Sequence, residues 1–489
     1  MANLKGLAKD TAIYGVSSIV GRFLNYLLVP LYTAKISAAS GGYGVVTNLY
    51  AYTALILVIL TFGMETTFFR FANKSEEDSD TVFSTAMAVV GGLSAVFLLG
   101  VLGALTPISN FLGYGDHKEY VWMMATVVAL DAVQAIPFSL LRFQKRPLKF
   151  AALKLLFIVL NIALNLVCFV VLPAMGVRES KVGDVFSLNL VCTGLITFFF
   201  LPEMRKMRWK VDGRLLRRML SYSWPILVLG IAGILNQTVD KMIFPKVYPD
   251  KAAGTVQLGI YGACVKIAMI MAMITQAFRY AYEPFVFAKS KDSSDANATY
   301  AEAMKYFIIF TLLAFLCVVG YMDILKHIIG AGYREGLRVV PIVMAAEIMM
   351  GIYFNLSFWY KLIDKTIWGA WFSLAGCAVL VAVNVIFIPK YGYMACAWGG
   401  FAGYATSMLL SYFVGQKKNP IAYPLGSIGR YVLLALALYA VMALLPESWP
   451  AVARIGVNTV LIAAFAAYIV RNDLPLSSLP VVGKYFRRN

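Results

Sequence analysis

Apolar stretches long enough to cross a bilayer recur along the whole chain, separated by short polar connections. Residues 81–105, TVFSTAMAVVGGLSAVFLLGVLGAL, contain no charged side chain. An α-helix rises 1.5 Å per residue, so about twenty apolar residues cover a hydrocarbon core of ~30 Å. Seven such spans are read at 10–34, 43–71, 81–105, 118–142, 150–174, 181–203 and 215–247. Seven more follow at 256–287, 301–328, 337–361, 366–388, 392–416, 427–445 and 450–471. Pro137 and Pro225 lie inside spans 4 and 7, where the missing N–H and the ring predict kinks. No polar stretch is long enough for a separate soluble domain. The expected fold is therefore all-α and polytopic, with about 14 transmembrane helices. An even count places both termini on one side of the membrane.

Particular residues within the spans also repeat. Span 1 contains RFLNYLLVPLY and span 7 GILNQTVDKMIFPKVY, which sets Pro30 against Pro245 at an offset of 215. Tyr43-Gly44 matches Tyr261-Gly262 at 218, while Ala86-Met87 with Ala303-Met304 and Leu112-Gly113 with Ile329-Gly330 match at 217. Asn165 matches Asn384 at 219, and Leu172-Pro173 matches Ile388-Pro389 at 216. Six ordered matches at a nearly constant offset predict a duplicated six-span unit. Residues 1–210 form the first lobe and 211–420 the second, with two added helices and a basic tail in 421–489. Units with an even number of spans share one orientation, related by a pseudo-two-fold axis along the membrane normal. That arrangement predicts a cavity between the lobes and transport by rocking them.

Composition supports the membrane reading: 60% of the 489 residues are hydrophobic and 14% charged, against about a quarter charged in soluble domains. The formal charge of +18 raises the possibility of a nucleic-acid partner, but its distribution excludes one. Lys and Arg gather in alternate loops, as in Arg142, Lys145, Arg146, Lys149 and then Arg205, Lys206, Arg208, Lys210, Arg214, Arg217, Arg218. Of 43 basic residues, about 24 fall in one set of loops, 11 in the other and 8 inside spans. Cytoplasmic loops carry the basic excess, so the richer set, with Lys5, Lys9, Lys484, Arg487 and Arg488, is expected to be cytoplasmic. The N-terminal apolar stretch contains Arg22 and is followed by no small-x-small site, so it reads as the first span, not as a cleaved signal. Cys168, Cys192, Cys264, Cys317, Cys377 and Cys396 all fall inside spans without CxxC spacing. They read as small core side chains, not as disulfides or metal ligands.

Charges inside spans are the candidate chemistry, because each costs at least about 2.5–3.5 kcal/mol in hydrocarbon. Span 1 carries Arg22 and Asn25, three apart on one helical face, with Arg22 ~16 Å deep. Span 2 carries Glu65 and, near its cytoplasmic end and within snorkelling reach of the interface, Arg70. Span 7 carries Asn236 and Asp240, four apart on one face, with Lys241 beside them. The Asp240–Lys241 pair reads either as an interfacial ion pair or as a cavity-facing one. Span 8 carries Lys266 at mid-depth, and Arg279 and Glu283 four apart, able to neutralise one another. Spans 4 and 10 each carry one deep carboxylate, Asp131 and Glu347, 216 residues apart. These satisfy packing within each lobe or bind and release a coupling cation, since a desolvated carboxylate holds its proton more tightly. The first two helices of each repeat thus hold most of the deep positive charge. A cavity lined by Arg22, Asn25, Arg70, Asp240, Lys241, Lys266 and Arg279 is expected to take an anionic, phosphate-bearing ligand. Asp131, Glu347, Asp240 and Glu283 are the ion-coupling candidates.

No GxxxxGK[ST] loop, HExxH, GxSxG or Asp-rich metal motif occurs, and His117 and His327 both fall in predicted outer loops. A transporter without cofactor or metal is expected, not an enzyme. The opening KDTAIYGVSSIVGRFLNYLLVPLYT, the LNQTVDKMIF of span 7 and VNVIFIPKYGYMACAWG at 383–399 carry a resemblance. Over essentially its whole length the chain resembles the multidrug/oligosaccharidyl-lipid/polysaccharide exporter superfamily, in its bacterial branch of lipid-linked oligosaccharide flippases. The resemblance implies alternating-access movement of a polyprenyl-pyrophosphate-linked oligosaccharide across the bacterial cytoplasmic (inner) membrane, for a surface polysaccharide such as lipopolysaccharide or capsule. It implies headgroup contacts from Arg22, Arg70, Lys266 and Arg279, and gating or ion coupling by Asp240. The implied partners are the lipid-linked substrate, membrane lipids, a polysaccharide polymerase and glycosyltransferases. Three alternatives stand beside it. A cation-coupled multidrug (MATE-type) exporter calls for an acidic or aromatic cavity. A peptidoglycan-precursor (lipid II) flippase carries several arginines in its first span, where this chain has only Arg22. A non-transporting scaffold would be indifferent to the deep charges.

Overall fold

Every regular element in the computed structural model is helical, across the residues it describes: 26–73, 78–205, 212–289, 296–362, 365, 367–446 and 448–473. Twelve helices there are long and apolar enough to cross a membrane, and they coincide with spans 2–11, 13 and 14. Span 12 is the 26-residue helix Tyr393–Lys418, whose glycines, serines and terminal lysines make it less apolar. Span 1 is described only from Tyr26 onward, with the helix Leu28–Lys35. Arg22 and Asn25 lie outside the described residues.

The sharpest interruption falls away from the prolines in spans 4 and 7. Pro137 and Pro225 sit inside the unbroken helices Lys118–Phe143 and Gly213–Val247. Span 2 instead breaks into Gly42–Thr61 and Met64–Ala72. At the break Phe62 and Gly63 adopt left-handed φ values of 50° and 68°. Left-handed backbone costs a side-chain-bearing residue about 1–2 kcal/mol, so packing must hold Phe62 there. Gly63 is held close: a Cβ on it would lie 3.0 Å from Ile226 Cγ2 of span 7. In span 5 the hydrogen-bond ladder slips into a π turn at Val167–Val171, ahead of Pro173.

The chain divides into two compact units, Met1–Ala263 with Asn384–Tyr393, and Cys264–Val383 with Met394–Asn489. In the first, Met64, Phe68, Val82, Ala86, Val90, Ala132, Ile136 and Met219 form a fully buried core among spans 2, 3, 4 and 7. Spans 2 and 8 cross in this unit through residues without side chains. A Cβ on Gly44 would lie 1.9 Å from the Thr255 carbonyl oxygen, and one on Gly259 would lie 2.9 Å from the Gly44 nitrogen. Small residues let membrane helices approach this closely, where dispersion between backbones replaces the missing hydrophobic drive. The Tyr-Gly pairs matched by the repeat flank this crossing, since a Cβ on Gly262 would meet Thr47 Oγ1 at 2.3 Å.

In the second unit, the two added helices are fastened to the helix of span 9, Ala296–Gly320, at both ends. At one end Asn458 Nδ2 donates to the Gly320 carbonyl at 2.8 Å and Arg454 pairs with Asp323 at 2.8 Å. At the other, the Asp473 carboxylate takes Lys305 and the Tyr431 hydroxyl, and its carbonyl takes Tyr306 at 3.2 Å. Burial pushes the Asp473 carboxyl up, but the bonds from Lys305 and Tyr431 outweigh it and hold it below the usual carboxylate range. A depressed folded-state value contributes stability above the unfolded value of ~3.9 and loses it as pH falls through the folded value. Asp473→Asn is therefore expected to lower the unfolding temperature of the detergent-solubilised protein at neutral pH, with the difference shrinking below about pH 3. Equal melting of both proteins at neutral pH would remove the clamp.

Candidate functional site

Three groups of ionisable side chains in the first unit involve its deep charges. The first joins spans 2, 7 and 8. Asp240 is 5% exposed, and Lys241 Nζ reaches its two oxygens at 3.1 and 3.2 Å and the Gln237 carbonyl at 2.8 Å. The Tyr261 hydroxyl donates to Asp240 at 2.9 Å. Asn48 fixes the backbone beside them, donating to the Lys241 carbonyl at 2.7 Å and accepting from the Tyr114 hydroxyl at 2.8 Å. Neighbours in sequence thus neutralise each other in a buried pair, and the tyrosine satisfies a further lone pair on the carboxylate. Such a pair adds no net charge.

The second group lies among spans 2, 4, 5 and 6. Asp131, midway along the helix Lys118–Phe143, accepts from Thr193 Oγ1 at 3.4 Å. Gln134, one turn on, donates to the Thr193 carbonyl at 2.9 Å and to Thr197 Oγ1 at 2.7 Å. Asn189 donates to the Tyr50 hydroxyl at 2.7 Å. Lys154 of span 5 supplies the countercharge: Asp131 and Glu65 attract it and Arg142 repels it. Its ammonium makes no ion pair within 4.0 Å among the described residues and sits 4.0 Å from the Phe138 ring centroid. Sequence reasoning did not single out Lys154. The available signal was Pro147, which occupies the first helical turn and so starts the helix early enough to put Lys154 about two turns inside it.

The third group surrounds the break in span 2. Thr61, Gly63, Glu65, Thr66, Phe69 and Arg142 line a cavity of about 290 Å³. Arg142 donates to Glu65 at 3.2 Å and to Ser139 Oγ at 3.1 Å, with its guanidinium 4.9 Å from the Phe69 centroid. Arg142 had been grouped with the basic loop that follows it, but it belongs to the last turn of span 4. Arg70, exposed at the far end of the same short helix, lies 4.2 Å over the Tyr222 ring of span 7.

In the second unit, Lys266 and Glu347 are half-buried on spans 8 and 10. Arg279 lies 5.1 Å from the Phe354 centroid and lines a cavity of only about 10 Å³ with Thr275, Asn355 and Phe358. The side chain of Glu283, its expected partner, lies outside those described. At the offsets of the repeat read from the sequence, Arg279, Asn355 and Phe358 align with Thr61, Ser139 and Arg142, at 218, 216 and 216. The cavity in the first unit is open, whereas Phe278, Phe307, Phe354 and Phe358 nearly fill the space around Arg279 in the second. Among the described residues no group of His, Cys, Asp and Glu is placed to hold a metal ion.

A sequence profile for the family described as "Polysaccharide biosynthesis protein" matches residues 40–336. No curated protein sequence matches the chain. Among solved structures, the lipid II flippase MurJ in an inward closed conformation superposes with a TM-score of 0.73 at 15% identity, covering 94% of this chain and 99% of that one. An inward-facing multidrug resistance MATE family transporter of the MOP superfamily gives 0.58 at 14% identity, covering 81% and 93%. The MATE multidrug transporter DinF-BH in complex with R6G gives 0.59 at 16%, covering 84% and 96%. At these identities the likeness is one of fold.

Proposed function

Because the chain belongs to the polysaccharide biosynthesis protein family, we propose that it is a flippase carrying a polyprenyl-pyrophosphate-linked oligosaccharide across the bacterial cytoplasmic membrane. The observation that carries this reading is the family match over residues 40–336. The fold shared with a lipid flippase and with multidrug transporters supports alternating access as the mechanism. The pyrophosphate and sugars enter the protein while the polyprenyl tail stays in lipid. Arg22, Arg70, Lys266 and Arg279 receive the phosphates, since arginine forks and lysine ammonium groups bind phosphate strongly where water is scarce. Asn25, with Asp240 and Lys241 as a self-neutralised pair, lines the path without adding charge. Asp131, Glu347, Asp240 and Glu283 are the groups through which an ion gradient is coupled. The multidrug reading is less well supported, because cationic drugs need uncompensated acids, and Asp240 and Glu65 each hold a cation.

Export of lipid-linked sugar in a deletion strain tests the proposal. Arg22→Ala, Lys266→Ala and Arg279→Ala are each expected to lose surface polysaccharide while inserting normally, and drug accumulation is expected to stay unchanged. Normal polysaccharide in all three at native expression overturns the reading. Raised drug accumulation in the deletion strain, with polysaccharide intact, replaces it with the multidrug one. Lys266→Leu with no phenotype points to a scaffold.

A further inference from the structure

We propose that the cavity at the break in span 2 binds a phosphate group through Arg142, with Glu65 holding Arg142 when no ligand is present. At about 290 Å³ the cavity approaches the size of small-molecule pockets. Arg142 has much of its hydrogen-bonding capacity to spare. Its fork carries five N–H donors, of which one nitrogen serves Glu65 and Ser139 and Nε is buried with no partner among the described residues. The Phe69 ring under the guanidinium fixes its plane.

Glu65 is the weak member of the set. It meets Arg142 through a single contact of 3.2 Å, accepts from Ser139 at 3.5 Å, and its side chain is 44% exposed. Half-exposed single-contact pairs contribute little, whereas a phosphate offers three oxygens and up to two charges to a planar fork. Glu65 also stands two residues past the left-handed Phe62-Gly63 pair, where a small backbone rotation swings it away. Arg142 and Ser139 stay in place on the continuous helix of span 4. An arginine fork with spare donors beside one displaceable acid favours an anion over a metal ion. A lipid headgroup in the adjoining leaflet and a free phosphate offer the same chemistry.

The test is a titration of the purified full-length protein in phosphatidylcholine nanodiscs with inorganic pyrophosphate. Saturable binding is expected, weakening as salt rises. Glu65→Gln removes the internal competitor and is expected to tighten binding by about tenfold, while Arg142→Gln weakens it by about as much. Loss of pyrophosphate binding when phosphatidic acid is added to the nanodiscs identifies a lipid headgroup as the source, and its persistence identifies the free anion. Unchanged or weaker binding in Glu65→Gln overturns the site, as does wild-type affinity in Arg142→Gln. Should Arg142→Gln fail to fold on gel filtration, the gain in Glu65→Gln decides alone, because lost structure does not tighten a ligand. Binding is read directly, so the outcome is separate from the export defects expected of Lys266→Ala and Arg279→Ala.

Discussion

Gly44→Ala is expected to leave almost no folded protein after detergent extraction, although the substitution adds one methyl group. At Gly44 the new Cβ would stand 1.9 Å from the Thr255 carbonyl oxygen and 2.9 Å from the Thr255 carbonyl carbon. Both are backbone atoms of the neighbouring helix, so no rotamer change relieves the clash and the two helices must part. The displacement travels: one turn along span 2, Asn48 holds the Lys241 carbonyl and the Tyr114 hydroxyl, and each buried polar group left unpaired costs about 1–3 kcal/mol. A loss of roughly 3 kcal/mol or more follows. Gly92→Ala is the control. Nothing lies within 4 Å of the added carbon there, and removing a helical glycine stabilises by about 0.5–1 kcal/mol. Gel filtration before and after heating reads both. Equal recovery of Gly44→Ala and wild type would mean the spans do not cross at this point.

The architecture was legible because the membrane imposes it. In hydrocarbon each span must satisfy its own backbone, so runs such as 81–105 can only be helices, and the observed Ser79–Gly103 follows that run to within two residues at either end. The break at Phe62 left no such trace, since left-handed phenylalanine is imposed by tertiary packing and carries no local preference. The charged sites were legible in identity and not in pairing. Asp240 and Lys241 were visible as a pair, but the closing contacts come from Tyr261 and Asn48, which arrive from other spans. Arg142 and Lys154 were hidden by the loops beside them, where basic residues mark orientation. Whether a lysine near a span end snorkels outward or turns inward depends on the helix it faces. For Lys154 that helix presents Asp131 and Phe138.

Asp131→Asn and Lys154→Met, made singly, are each expected to destabilise the protein, and the double variant is expected to recover most of the loss. Among the described residues Asp131 has one long hydrogen bond, from Thr193 at 3.4 Å, and Lys154 has no direct ion-pair partner within 4.0 Å. Each therefore depends on the field of the other across the gap between spans 4 and 5. Removing one leaves a charge in low dielectric with nothing opposite it, which is far worse than removing both. A coupling energy of roughly 1–3 kcal/mol is expected from the cycle, read from melting curves of the four proteins. A coupling near zero would show that the two charges are screened from one another. The cycle also separates the two readings of Asp131. In the duplication read from the sequence, span 11 corresponds to span 5 and carries no basic residue before Lys390 in its helix Ile367–Tyr391, so on that reading the carboxylate recurs as Glu347 while the lysine does not. A group kept only to neutralise Lys154 would have no reason to recur without it. If Asp131 carries the coupling ion, as proposed above, the folded double variant is expected to remain deficient in export. Full export restored together with stability would make Asp131 a packing charge and leave coupling to Glu347.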